Sequence, residues 1–320
     1  MTEQWTPNQQ RVIHELLEWD EELKPLRPPV PAPGGLWEDL LRELEELTVP
    51  TAALFARHDQ RLTVNKFNLT SVHKCEGLYV APDEFEWTVA KARGKAVHRA
   101  IQKSWAGRFT EMPPLELAQE TVESLAASPD DRSLAEYLTN LDPSTRAELL
   151  SETSTMLTAF FSDWPPIHPW MQPRVEPPMH ARLHGGRISL KGRFDLALGP
   201  PGRGPVVITD LKTGIDYPEH REELRYYALL ETLKTGVPPI RVASYYLDGG
   251  WFQPEDVNKD VLRSAVRRTG DAVNLIGLLW WREREPELSP GWHCRYCPSQ
   301  ADCLTGQGWL SDNRDRSTPG

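Results

Sequence analysis

The sequence predicts a mixed α/β fold, and a few consecutive segments carry this prediction. Two apolar segments, 187–198 (RISLKGRFDLAL) and 206–212 (VVITDLK), have the composition of strands and flank a turn rich in glycine and proline. Segment 218–236 predicts a helix, because a proline begins it and a glycine ends it. Segment 240–247 (IRVASYYL) predicts another strand. A hairpin, a helix and a further strand are typical of a mixed sheet core flanked by helices.

Helical segments are also predicted before this core. Leucines at helical spacing, Leu36, Leu40, Leu44 and Leu47, predict a helix whose other face is acidic. The helix follows a proline-rich linker at 24–35, which must interrupt any earlier helix. We divide the chain into an acidic helical N-terminal extension with this linker (1–55), a main domain (56–310) with a helical insertion (about 111–165) and a cysteine cluster (294–303), and a polar tail (311–320).

The composition limits the class of function. The 320-residue chain has a formal net charge of −10, which is a poor match for strong, nonspecific binding to nucleic acid. A helix predicted over 84–106 is the exception, because lysines and arginines recur every four residues along it and local charge can attract a polyanion. No apolar run is long enough to span a membrane, and the N-terminus lacks a signal-peptide pattern. We therefore expect a cytoplasmic protein without membrane contact.

Two aspartates and a lysine lie on the predicted strands, where charged side chains are rare. A hairpin through the turn at 199–205 would bring Asp195 close to Asp210, and the two-residue period of a strand places Asp210 and Lys212 on one face. Neighbouring carboxylates repel each other unless a cation neutralises them, and Mg²⁺ prefers such oxygen ligands. With a lysine beside them, they suit metal-assisted phosphodiester hydrolysis. The alternative is a surface ion pair at a strand end.

Further motifs extend this set in both directions. A glutamate precedes the strands, a Gly-x-x-x-His sequence lies on the predicted basic helix, and a Glu-x-x-x-Tyr sequence follows on the helix over 218–236. The positions are Gly94 with His98, Glu176, Gly192 to Asp195, Asp210 to Gly214, and Glu223 with Tyr227. In this order they resemble the PD-(D/E)xK nuclease superfamily, in its RecB/AddB-like branch. The resemblance covers most of residues 65–305 and implies a restriction-endonuclease-like mixed sheet core flanked by helices.

The resemblance also implies a role for each position. Asp195 and Asp210 would coordinate a catalytic metal ion, together with the Leu211 carbonyl, and Lys212 would position the attacking water. The remaining implied roles are completion of the metal or phosphate environment by Glu176 and His98, and bracing of the site or contact with DNA by Tyr227. The sequence departs from the branch at Glu223, where the family has glutamine. An ionised glutamate cannot donate a hydrogen bond, and it adds a negative charge near DNA.

The chain has four cysteines, Cys75 and a cluster of Cys294, Cys297 and Cys303. Four thiolates can hold Zn²⁺ or an iron–sulfur cluster, and the spacing alone does not choose between them. Four free thiols are the third alternative. In the branch named above, one cysteine before the nuclease core and three after it bind a [4Fe–4S] cluster. The resemblance therefore favours a [4Fe–4S] cluster on these residues, with structural Zn²⁺ as its rival.

From these features we predict a deoxyribonuclease that depends on Mg²⁺ or Mn²⁺ and hydrolyses single-stranded DNA or DNA ends, in repair, recombination or defence. DNA is the expected partner. The sequence lacks the phosphate-binding loop of ATP-driven motors, so any unwinding would come from a helicase or another protein acting in trans. Two alternatives stay open: a catalytically silent DNA-binding or scaffold subunit of such a complex, and a zinc-stabilised interaction module.

Overall fold

The computed structural model describes residues 5–27, 34–82, 85–105, 109 and 111–313. The predicted linker and the predicted polar tail therefore lie partly outside the described residues. The two ends predicted for the basic helix, positions 84 and 106, also lie outside them.

Helices account for much of the described chain. The α-helices are α1 (Pro7–Arg11), α2 (Leu36–Arg57), α3 (Lys66–Lys74), α4 (Glu76–Val80), α5 (Val89–Ser104), α6 (Pro114–Ala126), α7 (Arg132–Thr139), α8 (Pro143–Asp163), α9 (Pro218–Thr235), α10 (Lys259–Trp280) and α11 (Leu304–Asp312). The basic helix α5 begins at Val89, later than predicted. Thr88 has extended backbone, and its hydroxyl accepts a hydrogen bond from the Lys91 N–H (3.3 Å), so this residue caps the helix.

The strands of the described chain form two sheets. They are β1 (Leu62–Asn65), β2 (Arg174–Val175), β3 (Pro178–Leu183), β4 (Ile188–Arg193), β5 (Leu196–Leu198), β6 (Val207–Lys212), β7 (Arg241–Tyr246) and β8 (Trp251–Asp256). The larger sheet has the order β2–β5–β6–β7–β8, in which only the β6–β7 pair is parallel. The smaller sheet has the order β1–β4–β3, with β1 parallel to β4. Mixed sheets among helices confirm the predicted α/β class.

The segment 187–198 does not form one strand, and this part of the prediction is wrong. It divides into β4 of the smaller sheet and β5 of the larger sheet, with Phe194 and Asp195 between them. Phe194 is fully buried and packs edge-on against Tyr227, with 6.1 Å between the ring centroids. Burial of this ring turns the chain inward between the two sheets. Asp195 therefore lies at the junction of the sheets instead of within a strand.

Two helical layers enclose the larger sheet. Its central strands β6 and β7 are buried along nearly their whole length, as is typical of strands covered on both faces. One core joins this sheet to α2, α9, α10 and the smaller sheet, and the other joins it to α5, α8 and the π-helix Val12–Leu17. Helix α9 contacts strands of both sheets. The carboxyl end of β6 consequently faces α5 on one side and α9 on the other.

The N-terminal helices pack into the body of the molecule. Leu36, Leu40 and Leu44 of α2 are buried, as their spacing predicts. Helix α2 lies directly on α10, since a Cβ added at Gly277 would lie only 2.8 Å from the Thr51 Cγ2. Within the described residues, every helix is too short or too polar to cross a membrane.

Candidate active site

Asp195 is the centre of the candidate site. Strands β5 and β6 form the predicted hairpin, with Leu196 opposite Thr209. This register places Asp195 beside the carboxyl end of β6, where its Oδ2 accepts a hydrogen bond from the Leu211 N–H (2.6 Å). Its Oδ1 lies 3.0 Å from His98 Nδ1. The hairpin and α5 therefore fix both oxygens of this carboxylate.

Asp210 and Lys212 lie on one face of β6, because side chains two residues apart share a face. Lys212 Nζ is 2.5 Å from Asp210 Oδ2. Burial alone would raise the pKa of Asp210, but Lys212 and Lys66 outweigh it and hold the pKa well below its usual range. Burial lowers the pKa of Lys212, but Asp210 and Glu223 raise it by more, so the net shift is upward. The pair is ionised at neutral pH.

His98 and Asp195 lie close to a third residue with a metal-binding type of side chain, Glu176. One ligand atom from each of these three residues lies within 4.8 Å of the other two. Within the described part of the chain, this group does not include Asp210. Of the predicted metal ligands, the structure therefore groups His98 with Asp195, adds Glu176, and leaves Asp210 beside them. The oxygen-rich donor set suits a hard divalent cation such as Mg²⁺ or Mn²⁺.

The burial and charge of His98, Glu176 and Asp195 favour binding of a cation. Burial raises the pKa of Asp195, and the nearby Asp210 raises it further, although His98 offsets part of the effect. Burial lowers the pKa of His98, but Asp195 outweighs burial and the net shift is upward. Two buried carboxylates thus repel each other, and the imidazole compensates only in part. A divalent cation would relieve this repulsion.

Gly94 explains how α5 comes close enough to deliver His98. A Cβ added at this glycine would lie 3.0 Å from Thr213 Oγ1, just after β6. One turn later on the same face of the helix, His98 meets Asp195. The Gly-x-x-x-His motif is therefore a close-packing position followed by a histidine that contacts Asp195.

Tyr227 packs against Gly192 near Asp195 and Asp210. Tyr227 is 1% exposed, and a Cβ on Gly192 would lie 3.1 Å from its ring. Burial, followed by the nearby carboxylates of Asp210 and Asp195, raises the pKa of this phenol far above its usual range. The residue is a neutral, packed side chain, which suits the bracing role among those the sequence predicts.

Glu223 joins the site through two lysines. Its Oε2 lies 3.0 Å from Lys212 Nζ and 3.1 Å from Lys66 Nζ, at the first position of α3. Lys66 is absent from the predicted site, because it belongs to none of the motifs. The sequence feature that could have indicated a further lysine is Glu223. An extra carboxylate beside Asp210 requires a compensating cation, and Lys66 is that cation.

Cys75 lies at the α3–α4 junction, and the other three cysteines lie in the chain after α10. Glu76, next to Cys75, forms a bidentate ion pair with Arg284 (2.6 and 2.7 Å), which joins the two segments. The pKa of the Cys297 thiol is raised, mainly by burial and in part by the other three sulfurs. The structure therefore brings Cys75 to the C-terminal cysteines.

Backbone donors point at two of these sulfurs. The Gly291 N–H donates to Cys294 Sγ (3.4 Å), and the Gly306 N–H donates to Cys303 Sγ (3.3 Å). A Cβ at Gly306 would lie 3.2 Å from Cys294 Sγ, so the backbone passes close to this sulfur. N–H donors of this kind also occur beside thiolates that bind Zn²⁺ or an iron–sulfur cluster. Among the described residues, however, no three of the cysteine sulfurs lie within 4.8 Å of one another.

Comparison with known families decides the assignment of the chain. The profile of the PD-(D/E)XK nuclease superfamily matches residues 66–304, which include the carboxylates, Lys212 and all four cysteines. The chain belongs to the PD-(D/E)XK nuclease superfamily. Its mixed sheets and flanking helices accordingly form a restriction-endonuclease-like core.

Solved structures similar to this PD-(D/E)XK protein are distant. One is the protein SSO0001, with 14% identity over 85% of this chain and 98% of that chain, at a TM-score of 0.35. Another is a candidate exonuclease from Eubacterium rectale, with 15% identity over 73% and 87% of the two chains, at a TM-score of 0.43. No curated protein matches the chain. These similarities are too low to carry an inference about function.

Proposed function

We propose that this PD-(D/E)XK protein is a metal-dependent deoxyribonuclease that hydrolyses phosphodiester bonds in single-stranded DNA or at DNA ends. The observation that carries the proposal is the meeting of His98, Glu176 and Asp195 next to the Asp210–Lys212 pair. Such a set combines a cation site with a fixed ammonium group, which phosphoryl chemistry requires to stabilise the charge of the transition state.

The metal ion would be held by His98, Glu176 and Asp195, with Asp210 and the Leu211 carbonyl adjoining them. When bound, Mg²⁺ or Mn²⁺ polarises the phosphate and lowers the pKa of a bound water. The Leu211 N–H and the His98 imidazole hold the Asp195 carboxylate in one orientation. This fixed carboxylate reduces the reorganisation that binding a cation would otherwise need.

Lys212 serves as a charged hydrogen-bond donor in this proposal. Because Asp210 and Glu223 raise its pKa, the ammonium group stays protonated over the physiological pH range. It can therefore orient a water molecule or stabilise a phosphate oxygen, but it cannot accept a proton from that water. Asp210 holds the ammonium in place from the same face of β6.

We propose further that Cys75, Cys294, Cys297 and Cys303 hold a [4Fe–4S] cluster, with structural Zn²⁺ as the alternative. The N–H donors to Cys294 and Cys303 support a thiolate-bound cofactor, since such hydrogen bonds stabilise sulfur ligands. The cofactor would fasten the chain after α10 to the α3–α4 junction. We place the enzyme in DNA repair, recombination or defence, with any unwinding supplied by a helicase in trans.

The proposal is tested with labelled single-stranded and duplex DNA, Mg²⁺ or Mn²⁺, and protein purified without oxygen. Asp210→Asn should abolish cleavage, and its matched control is Asp248→Asn, an exposed turn position. Cleavage by the wild type and the control but not by Asp210→Asn supports the proposal. DNA binding without any cleavage by the wild type would contradict it and would favour the silent scaffold subunit. Equal cleavage by Asp210→Asn would also contradict it.

A further inference from the structure

The outer face of the smaller sheet forms an open groove with a volume of about 790 Å³. Strands β1, β3 and β4 supply its floor, and the start of α3 supplies one wall. We call it the sheet groove, and its lining is Thr63, Asn65, Lys66, Phe67, Pro178, Met179, His180, Arg182, Ser189, Lys191, Gly192, Arg193 and Tyr227.

Strand alternation directs the basic side chains of the sheet groove outward. In β3 the buried residues are Met179, Ala181 and Leu183, so His180 and Arg182 face solvent. In β4, Lys191 and Arg193 face solvent in the same way. The strand register places Lys191 directly opposite His180, and Ser189 opposite Arg182. The cations consequently form one continuous patch across neighbouring strands.

The lining of the sheet groove contains four lysines and arginines and no aspartate or glutamate among the described residues. This composition contrasts with the net charge of −10 for the whole chain. In a protein that repels polyanions overall, a groove whose charged lining residues are all cationic is a local site for phosphates. Its open shape suits an extended strand better than a compact ligand.

Phe67 adds a second recognition feature. It lies at the wall of the sheet groove, follows Lys66 directly, and leaves 67% of its surface exposed. Proteins that bind single-stranded nucleic acid combine an exposed aromatic ring with a basic groove, because unpaired bases can stack on the ring. The bases of a duplex are stacked on each other and cannot do so.

Two residues of the sheet groove contact the candidate active site. Lys66 belongs to both, since it lines the groove and contacts Glu223 (3.1 Å). Arg193 also belongs to both, because its guanidinium lies 3.6 Å from Glu176 Oε2. A strand lying on the outer face of the smaller sheet would therefore lie next to residues that contact Glu176 and Glu223.

We propose that the sheet groove binds single-stranded DNA and guides it to the active site, with Arg182 and Lys191 contacting phosphates and Phe67 stacking on a base. This inference rests on the proposed nuclease function, and it names the surface and the form of DNA that the same site would take.

Binding is measured by fluorescence anisotropy of a labelled oligothymidylate. The measurement uses the Asp210→Asn background, in which the probe should not be cleaved. The double variant Arg182→Gln/Lys191→Gln should bind about tenfold more weakly. The slope of log affinity against log salt should also decrease by about 1.4, since each lost phosphate contact contributes about 0.7 for a single strand. The matched control is Lys259→Gln/Arg267→Gln, which removes two exposed charges from α10 outside the groove and should bind as the parent does.

A second variant tests the stacking contact separately. Phe67→Ala should weaken binding about fivefold or more without changing the salt slope, whereas Phe67→Tyr should retain affinity. Circular dichroism confirms that each variant is folded. Equal affinity of the groove and control variants would overturn the inference, and so would tighter binding of duplex than of single strands. A chain that binds through the groove but never cleaves DNA would refute the proposed nuclease and leave the groove supported.

Discussion

Lys66 Nζ lies 3.1 Å from the Glu223 carboxylate oxygen that also contacts Lys212. At this position the RecB/AddB-like branch that the sequence resembles has glutamine, whereas this chain has an acid and places a second lysine opposite it. Asp210, Lys212, Glu223 and Lys66 thus form a line of alternating charges. The added negative charge is balanced before DNA arrives.

This compensation predicts non-additive effects on cleavage. Lys66→Ala should lower kcat about tenfold, because it leaves Glu223 under-compensated next to the phosphate. In a Glu223→Gln background, the same substitution should cost much less. The measurement is a double-mutant cycle on kcat with a short single-stranded substrate. Equal losses in both backgrounds would mean that Lys66 acts on the DNA and not through Glu223.

The turn that joins β5 to β6 requires glycine at position 199, and a substitution there should destabilise the fold. Gly199 has a φ of 108°, and a Cβ there would lie 2.1 Å from the Pro205 carbonyl oxygen. Gly199→Ala should lower the free energy of unfolding by about 3 kcal/mol, measured by urea titration. The control is Gly308→Ala in α11, where an added Cβ meets nothing within 4 Å. A loss no larger than that of the control would show that the hairpin tolerates another path.

The cysteine site predicts a coloured protein. Material purified without oxygen should absorb broadly in the visible range and contain about four iron atoms per chain. Cys297→Ser should lower both values sharply, whereas Tyr296→Ala, which removes an exposed neighbour, should leave them unchanged. A colourless protein with about one zinc atom per chain would instead establish the zinc alternative.

Glu255 of β8 predicts a pH-dependent contribution to stability. It accepts hydrogen bonds from Arg225 (2.6 and 2.9 Å) and Arg221 (2.6 and 3.0 Å) of α9. Burial raises the pKa of Glu255, but the two arginines outweigh burial and lower it. Since the folded-state pKa lies below the unfolded value, the ionised carboxylate stabilises the fold above about pH 4.3, and this stabilisation is lost as pH falls through the folded-state pKa.

Urea unfolding of Glu255→Gln measures that contribution. We expect a loss of about 1 kcal/mol at pH 7 relative to the wild type, and a difference that shrinks as the pH falls below about 4. The exposed Glu285→Gln should show little difference at either pH. A difference for Glu255→Gln that stayed constant over this range would exclude the charge as its cause.

Local sequence patterns predict part of this architecture. The turn residues predict the β5–β6 hairpin, and the proline and glycine at the ends of α9 predict its limits. The division of segment 187–198 could not be predicted, because burial of Phe194 between two sheets is a tertiary effect. Lys66 could not be assigned for a similar reason. Its role depends on β1 pairing with β4, a contact between distant parts of the chain.

The parallel pairing of β1 with β4 is a late step in folding, because the two strands are far apart in the sequence. Leu62 meets Ile188 only after the intervening helices α3 to α8 have been synthesised and closed into one long loop, and such non-local contacts form slowly. The smaller sheet is incomplete until then. A nascent chain therefore completes the sheet groove late, after helices α3 to α8 have been synthesised.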